Sequence, residues 1–258
     1  MAQSKIKRML KPMPFKFIKS FIPDNNNWSL NDKLFGFIKV EVTTSSNCNK
    51  ILLPHRIDDK IVHSSGTCIE TFFSEEIKLY LGKKNYKFRY LECYEFSKFY
   101  PFKFYVNTFY KIKAESKGID RVIAKLLLNN LYGFFGRSYQ LLKTFKINNN
   151  ELNKSMNESE DIIINIQQFE SYSIIKLIEI NDSYQIKSNV AISSAITAWA
   201  RIIMYPYLML PCVIYSDTDS VFSTKSLDSK LIGKEIGKFK DEMNGLLTKE
   251  GKTTYPNN

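Results

Sequence analysis

Two early stretches alternate between apolar and polar residues. Residues 35–42 (Phe-Gly-Phe-Ile-Lys-Val-Glu-Val) and residues 86–96 both carry the period of two expected of a half-buried strand. Residues 73–81 read as a short helix, and Ile51-Leu52-Leu53 is a brief apolar run stopped by Pro54. Residues 1–34 show little pattern, and Asn25-Asn26-Asn27 with Asp32 mark a loop. The first hundred residues therefore predict a strand-rich α+β region.

From Phe102 the period becomes helical. Phe104, Tyr105, Phe109, Tyr110 and Ile112 predict one apolar stripe, and Ser116-Lys117-Gly118 breaks it. A second helix is expected over 119–135, with Val122, Leu126, Asn129-Asn130 and Phe134 marking its turns and Gly133 and Gly136 punctuating its end. Together the two predict a helical hairpin. Residues 142–188 look like a β-rich insertion, with polar breaks and β-branched runs at 162–166 and 173–180. A long amphipathic helix is expected over 190–210, bent or stopped near Pro206 and ended by Pro211. Strands are expected at 213–215 and 220–222, on either side of Ser216-Asp217-Thr218-Asp219. The tail from Leu231 is basic and mixed, and no internal repeat is visible.

Composition narrows the function classes. A chain of 258 residues that is 44% hydrophobic is not a disordered tail, and 10 Gly with 8 Pro exclude a collagen-like one. The net charge is +11, from 37 Lys and Arg against 26 Asp and Glu. With 19 Phe and 15 Tyr, that surplus suggests a polyanionic partner, most simply a nucleic acid. Cys48, Cys68, Cys93 and Cys212 form no C-x-x-C pair or zinc ribbon, so they read as reduced thiols. His55 and His63 read as structural. No apolar run is long enough to cross a membrane, and the basic N-terminus lacks the apolar core of a secretory signal. Heavy use of Lys, Asn, Ile, Phe and Tyr, whose codons are AT-rich, suggests an organellar genome or plasmid.

Two motifs carry chemistry. In Tyr215-Ser216-Asp217-Thr218-Asp219-Ser220 two short apolar strands flank a turn with two carboxylates. Side chains two apart on an extended chain leave on one face, so both could address one hard cation such as Mg²⁺. Taken alone, a plain hairpin turn is the simpler reading, because Asp is a good turn former. The second motif is Lys125-Leu-Leu-Leu-Asn129-Asn130-Leu131-Tyr132-Gly133 on the second helix. Lys125, Asn129 and Tyr132 fall at i, i+4 and i+7 and share one helical face. A cation, an amide and a ring on one face suit phosphates and a stacked base, and Lys113 on the preceding helix could reach the same place. A solvated lysine beside core Leu and Tyr is the competing reading.

In this order and separation, the two motifs resemble motifs B and C of family B DNA polymerases. The protein-primed subfamily of small phages, organellar genomes and linear mitochondrial plasmids is the nearer likeness. Tyr110-Lys-Ile-Lys113 resembles its fingers helix, Ile196-Thr-Ala-Trp-Ala-Arg201 the helix before motif C, and His63-Ser-Ser-Gly66 with Phe73-Ser-Glu-Glu-Ile77 the stretch before the fingers. The resemblance implies a partial right-hand polymerase. Residues 1–100 would be the first, terminal-protein-region insertion of the palm, 101–137 the fingers, 138–188 the second insertion, and 189–258 the palm with motif C and the start of the thumb. It also implies deoxynucleotide addition to a DNA primer on a template during replication, with Mg²⁺ held by Asp219 and Asp217. Lys113, Lys125, Asn129 and Tyr132 would bind the nucleotide, and Tyr215 and Gly133 the DNA. A terminal protein as primer and a mitochondrial location would follow.

One family element is missing. Motif A, Asp-x-x-Ser-Leu-Tyr-Pro, supplies the other metal carboxylate, and no such string occurs. Asp24 is followed by Ser29-Leu30 at the wrong spacing, and Met9-Leu-Lys-Pro-Met-Pro14 resembles the sequence just after motif A. The chain is thus expected to begin there, without the proofreading exonuclease and with little thumb. Lys252-Thr-Thr-Tyr255 only faintly resembles a template-contacting Lys-x-Tyr. A non-catalytic DNA-binding remnant and one half of a split polymerase, completed by a second polypeptide with motif A and exonuclease, are the alternatives.

Overall fold

The computed structural model describes residues 7–241 except 32, 59, 138–140, 153–161, 180–187, 234 and 236. The architecture is α+β. Strands β1 (Met13–Phe21) and β2 (Gly36–Thr44) are followed by a small antiparallel pair, β3 (His55–Ile57) and β4 (Lys60–Val62). Next come β5 (Gly66–Phe73), the five-residue helix α1 (Ser74–Lys78) and the long β6 (Tyr86–Phe99). β1, β6, β2 and β5 lie in that order in one antiparallel sheet.

The alternation in β2 does what its period predicts: Ile38, Val40 and Val42 are buried while Lys39 is exposed. On that face they join Leu30, Leu34, Leu53, Ile77, Tyr80, Tyr86, Tyr90 and Cys93 in the main core. Ile51-Leu52-Leu53 is not a strand, because Pro54 cuts it short; Leu53 enters the core from a loop instead. β1 and β5 carry no clean alternation. β1 is an edge strand with Pro14 near its start, where the missing ladder donor is tolerated.

Gly36 opens β2 at φ 153°, a region that L side chains rarely adopt, and its N–H donates to Ser74 Oγ at 3.1 Å. A Cβ there would stand 2.0 Å from the Tyr94 carbonyl oxygen. Gly36→Ala is therefore expected to cost at least about 2 kcal/mol, combining backbone strain with a forced shift of β6. Urea unfolding monitored by tryptophan fluorescence checks this.

Helix α2 (Lys103–Glu115) and helix α3 (Gly118–Phe135) follow, joined through Gly118 at φ 62°. The inward face of α2 differs from the expected stripe. Phe104 is 84% exposed, while Phe102 and Val106 are buried. The buried register is thus 102-106, one residue pair earlier than the run of aromatic residues suggests, and Lys113 continues it at i+7 from Val106.

The described chain forms two compact units, 1–132 with 191–258, and 133–190. The second contains a three-stranded antiparallel sheet ordered β7 (Leu141–Asn148), β9 (Tyr172–Glu179), β8 (Ile162–Gln168), with Ile175 and Leu177 buried. The predicted run at 173–180 ends on Ile180, which lies outside the described residues.

Helix α4 (Val190–Leu208) passes through Pro206 and stops before Pro211. Ile192, Ala195, Ile196 and Trp199 make its buried stripe at i, i+3, i+4 and i+7. Polar contacts fasten it to the first part of the chain. Trp199 Nε1 donates to the Pro12 carbonyl at 2.9 Å. Arg201 grips the fully buried Glu76 of α1 with two nitrogens, Nη2 lying 2.7 Å from Oε2. Lys83 Nζ bonds the Tyr205 hydroxyl and lies over its ring. Burial would lower the pKa of Arg201, but the hydrogen bonds and charge of Glu76 outweigh it and raise the pKa. Beyond α4, β10 (Val213–Asp217) and β11 (Ser220–Ser223) form an antiparallel hairpin.

Candidate nucleotide and metal site

Two elements hold the residues singled out by sequence, all of which lie in the first unit except Gly133, the first residue of the second. On the α2–α3 hairpin, the Tyr105 hydroxyl donates to the Leu127 carbonyl at 3.3 Å. Arg121 Nη1 donates to the Lys113 carbonyl at 3.1 Å, satisfying one of the orphan carbonyls at the end of α2. This brings Lys113, Arg121 and Lys125 into one electrostatic group. Burial holds the Lys113 ammonium below the usual lysine pKa, and the positive charges of Arg121 and then Lys125 push it lower. Three cations held together make a face that gains from an anion.

Asn129 lies one turn after Lys125 on α3, and its Oδ1 is buried without a hydrogen-bond partner. A buried acceptor left unpaired costs about 1–3 kcal/mol, so a donor arriving there is well rewarded. The backbone of Tyr132 belongs to α3, while its side chain lies outside the described residues. Gly133 also lies on α3, and a Cβ there would meet nothing within 4 Å.

The second element is the β10–β11 hairpin, closed by the Asp217–Ser220 pair with Thr218 and Asp219 at its tip. The two carboxylates do not lie on one extended strand. Thr218 separates them at φ 50°, left-handed for a β-branched residue, a conformation costing about 1–3 kcal/mol and concentrated at functional turns. Asp217 is exposed and its Oδ1 accepts the Thr218 hydroxyl at 3.0 Å; Asp219 is only 5% exposed. Tyr215 is exposed, with its ring edge-on to Phe222 at 5.5 Å.

These two oxygen donors suit a hard cation, but they are few. Among the described residues no group of three or more His, Cys, Asp or Glu side chains is placed to hold a metal ion. Asp24, the one remnant of a motif A pattern, is spent on a turn: its carboxylate accepts the Asn26 N–H at 3.1 Å and Asn27 Nδ2 at 2.7 Å. Asp32 and Lys252–Tyr255 lie outside the described residues. The histidines interact with other groups. His55 Nε2 pairs with Ser64 Oγ at 3.1 Å, and His63 is held below its usual pKa by burial, then by Arg201 and His55. All four cysteines are free thiols.

Sequence reasoning missed Glu76, Lys50 and the fastening role of Arg201. A charged residue in an amphipathic segment reads as solvated, and only a partner far along the chain reveals otherwise.

A family described as DNA polymerase type B, organellar and viral, matches residues 7–209. A probable DNA polymerase of Podospora anserina is 31% identical over 241 residues, covering 81% of this chain and 20% of that protein. One of Agaricus bitorquis is 28% identical over 280 residues, covering 92% of this chain and 35% of that protein. The chain therefore spans between 20% and 35% of the length of these two relatives. Among solved structures, the orthorhombic form of phi29 DNA polymerase matches 92% of this chain and 40% of its own at TM-score 0.63 and 16% identity. The phi29 ternary complex with primer-template DNA and incoming nucleotide matches 92% and 41% at 0.60 and 18%. At that identity the likeness is one of fold, that of part of a right-hand polymerase.

Proposed function

Because the chain belongs to the organellar and viral type B DNA polymerases, we propose that it carries the nucleotide-binding helix hairpin and one carboxylate arm of a templated nucleotidyl-transfer site. The observation that carries this is the α2–α3 face: mutually repelling Lys113 and Lys125 beside an unpartnered, buried Asn129 Oδ1. A deoxynucleoside triphosphate answers both, with a polyanionic tail for the lysines and a sugar hydroxyl for the amide oxygen.

In the reaction, the primer 3′ hydroxyl gives up its proton to solvent water as its oxygen forms a bond to the α-phosphorus, the bond from that phosphorus to the bridging oxygen of the β-phosphate breaks, and pyrophosphate leaves. Mg²⁺ would supply charge neutralisation at the attacking and leaving oxygens. Asp219 would hold it directly, because its buried carboxylate is the better fixed, and Asp217 would be the second, more mobile ligand. Tyr132 would stack on the base, and Tyr215 and Gly133 would border the DNA. The net charge of +11 suits the phosphates of primer and template without reading sequence.

The shortage of grouped carboxylates among the described residues favours a second reading of the isolated chain as a DNA-binding piece that needs motif A from elsewhere. A second polypeptide carrying motif A and exonuclease, or a longer form of this chain, would complete the site; a terminal protein is the proposed primer. The AT-rich amino-acid usage supports a mitochondrial genome or linear plasmid as the setting.

Binding of primer–template DNA followed by fluorescence anisotropy tests the proposal. Affinity is expected to fall at least about 10-fold between roughly 50 and 200 mM salt. The chain alone is expected to extend primers poorly, and to gain activity when a polypeptide with the motif A aspartate is added. Salt-insensitive, weak binding would remove the nucleic-acid reading.

A further inference from the structure

We propose that Lys50 is a positioning residue for the Asp217–Asp219 hairpin, its ammonium locking the C-terminal end of α4 to the first residue of β10. Lys50 Nζ lies 2.9 Å from the Leu208 carbonyl oxygen, 2.8 Å from that of Leu210 and 3.1 Å from that of Val213. An ammonium has three N–H donors, so all three are used.

The site is built for a cation. Leu208 is the last residue of α4, where carbonyls lose their helical partners and the negative end of the helix dipole concentrates. The amide three residues on, which could close a tighter turn onto Leu208, belongs to Pro211 and carries no hydrogen. Lys50 supplies the missing donor. The Leu210 carbonyl already accepts the Val213 N–H at 3.1 Å, so the same lysine binds both sides of the turn that launches β10.

That turn sets where β10 leaves α4, while the buried Asp219 anchors the far end of the hairpin. Val213 is the one buried residue of β10; Ile214, Tyr215, Ser216 and Asp217 are all exposed. A strand whose only buried residue is its first takes its initial direction from that root. The other side of the root is fixed in the same way: the Cys212 carbonyl accepts the Thr224 N–H at 2.9 Å and the Thr224 hydroxyl at 3.3 Å. Lys50 in turn has a firm base. Its own carbonyl accepts the Cys48 thiol at 3.4 Å, and Leu53, three residues on, is buried in the core of the four-stranded sheet. Through one side chain, then, the sheet sets the aim of the carboxylates. Arginine would serve poorly, because its planar fork cannot converge three donors on carbonyls gathered round one point.

The functional half of this proposal rests on the nucleotidyl-transfer reading, so the test has two arms. The first is hydrogen–deuterium exchange on the full chain and its Lys50→Met variant. Amides of residues 214–222 should exchange at least about 10-fold faster in the variant, with those of β2 and β6 unchanged; Lys50→Arg should be intermediate. Unchanged exchange in 214–222 overturns the proposal, and so does an equal loss in β2 and β6, which would make Lys50 a general stabiliser. The second arm is primer extension with the motif A polypeptide added. Lys50→Met should lower kcat about 10-fold or more while KM for the nucleotide stays within about two-fold, the signature of misplaced groups. Full-rate extension from a variant with a loosened hairpin overturns the positioning role. Absence of extension by the unmodified chain, with the exchange result intact, would sink the polymerase reading and leave the placement of the hairpin by Lys50 standing.

Discussion

Arg201→Met is expected to lower stability by about 3–5 kcal/mol, the cost of leaving a buried charge without its partner. The carboxylate of Glu76 is fully buried and receives two guanidinium nitrogens, one at 2.7 Å. Methionine keeps most of the volume and none of the donors, so the carboxylate would stay desolvated and unanswered. Most of that loss should be recovered in the double variant Glu76→Leu, Arg201→Met, because removing both charges removes the desolvation with them. Urea midpoints at constant m-value for the single and double variants measure this coupling. If the single variant unfolds at the wild-type midpoint, the pair contributes nothing and α4 is held by its other contacts.

Asp219→Ala is expected to reduce primer extension at least about 100-fold in a completed site, with DNA affinity changed less than about two-fold. Asp217→Ala should cost less. The two differ in surroundings: Asp219 is 5% exposed, so its orientation is fixed, whereas Asp217 is exposed and shares an oxygen with the Thr218 hydroxyl. Single-turnover extension at saturating nucleotide separates the two effects. Equal losses at both positions would show that burial does not rank the carboxylates.

The helices and hairpin that carry these residues were legible because each obeys a local rule. α3 has the 3.6-residue period with glycine at both ends, and β10–β11 has strand, turn and strand in eleven residues. Their motif residues were readable because chemistry and spacing coincide on one element. β1 and β5 were not legible. β1 lies on a sheet edge, with six of its nine residues exposed, so no period of two separates a wet face from a dry one. Nor was the inner face of α2, since its exposed Phe104 looks like a core residue. Glu76 and Lys50 were hidden for a different reason: each is explained by atoms more than a hundred residues away.

Those separations have a consequence for how the protein is made. Trp199 reaches back 187 residues to Pro12, Lys50 forward 163 to Val213, and Glu76 waits for a partner 125 residues downstream. During synthesis the four-stranded sheet can close once β6 has left the ribosome, yet a carboxylate destined for burial must stay hydrated until α4 arrives. The nascent chain therefore passes through a stage in which its sheet is paired but one flank is wet and uncovered. Closing such long loops is slow, and the uncovered flank is what a chaperone would meet. Helix α4 thus both leads into the carboxylate hairpin and covers a sheet that was paired before it arrived.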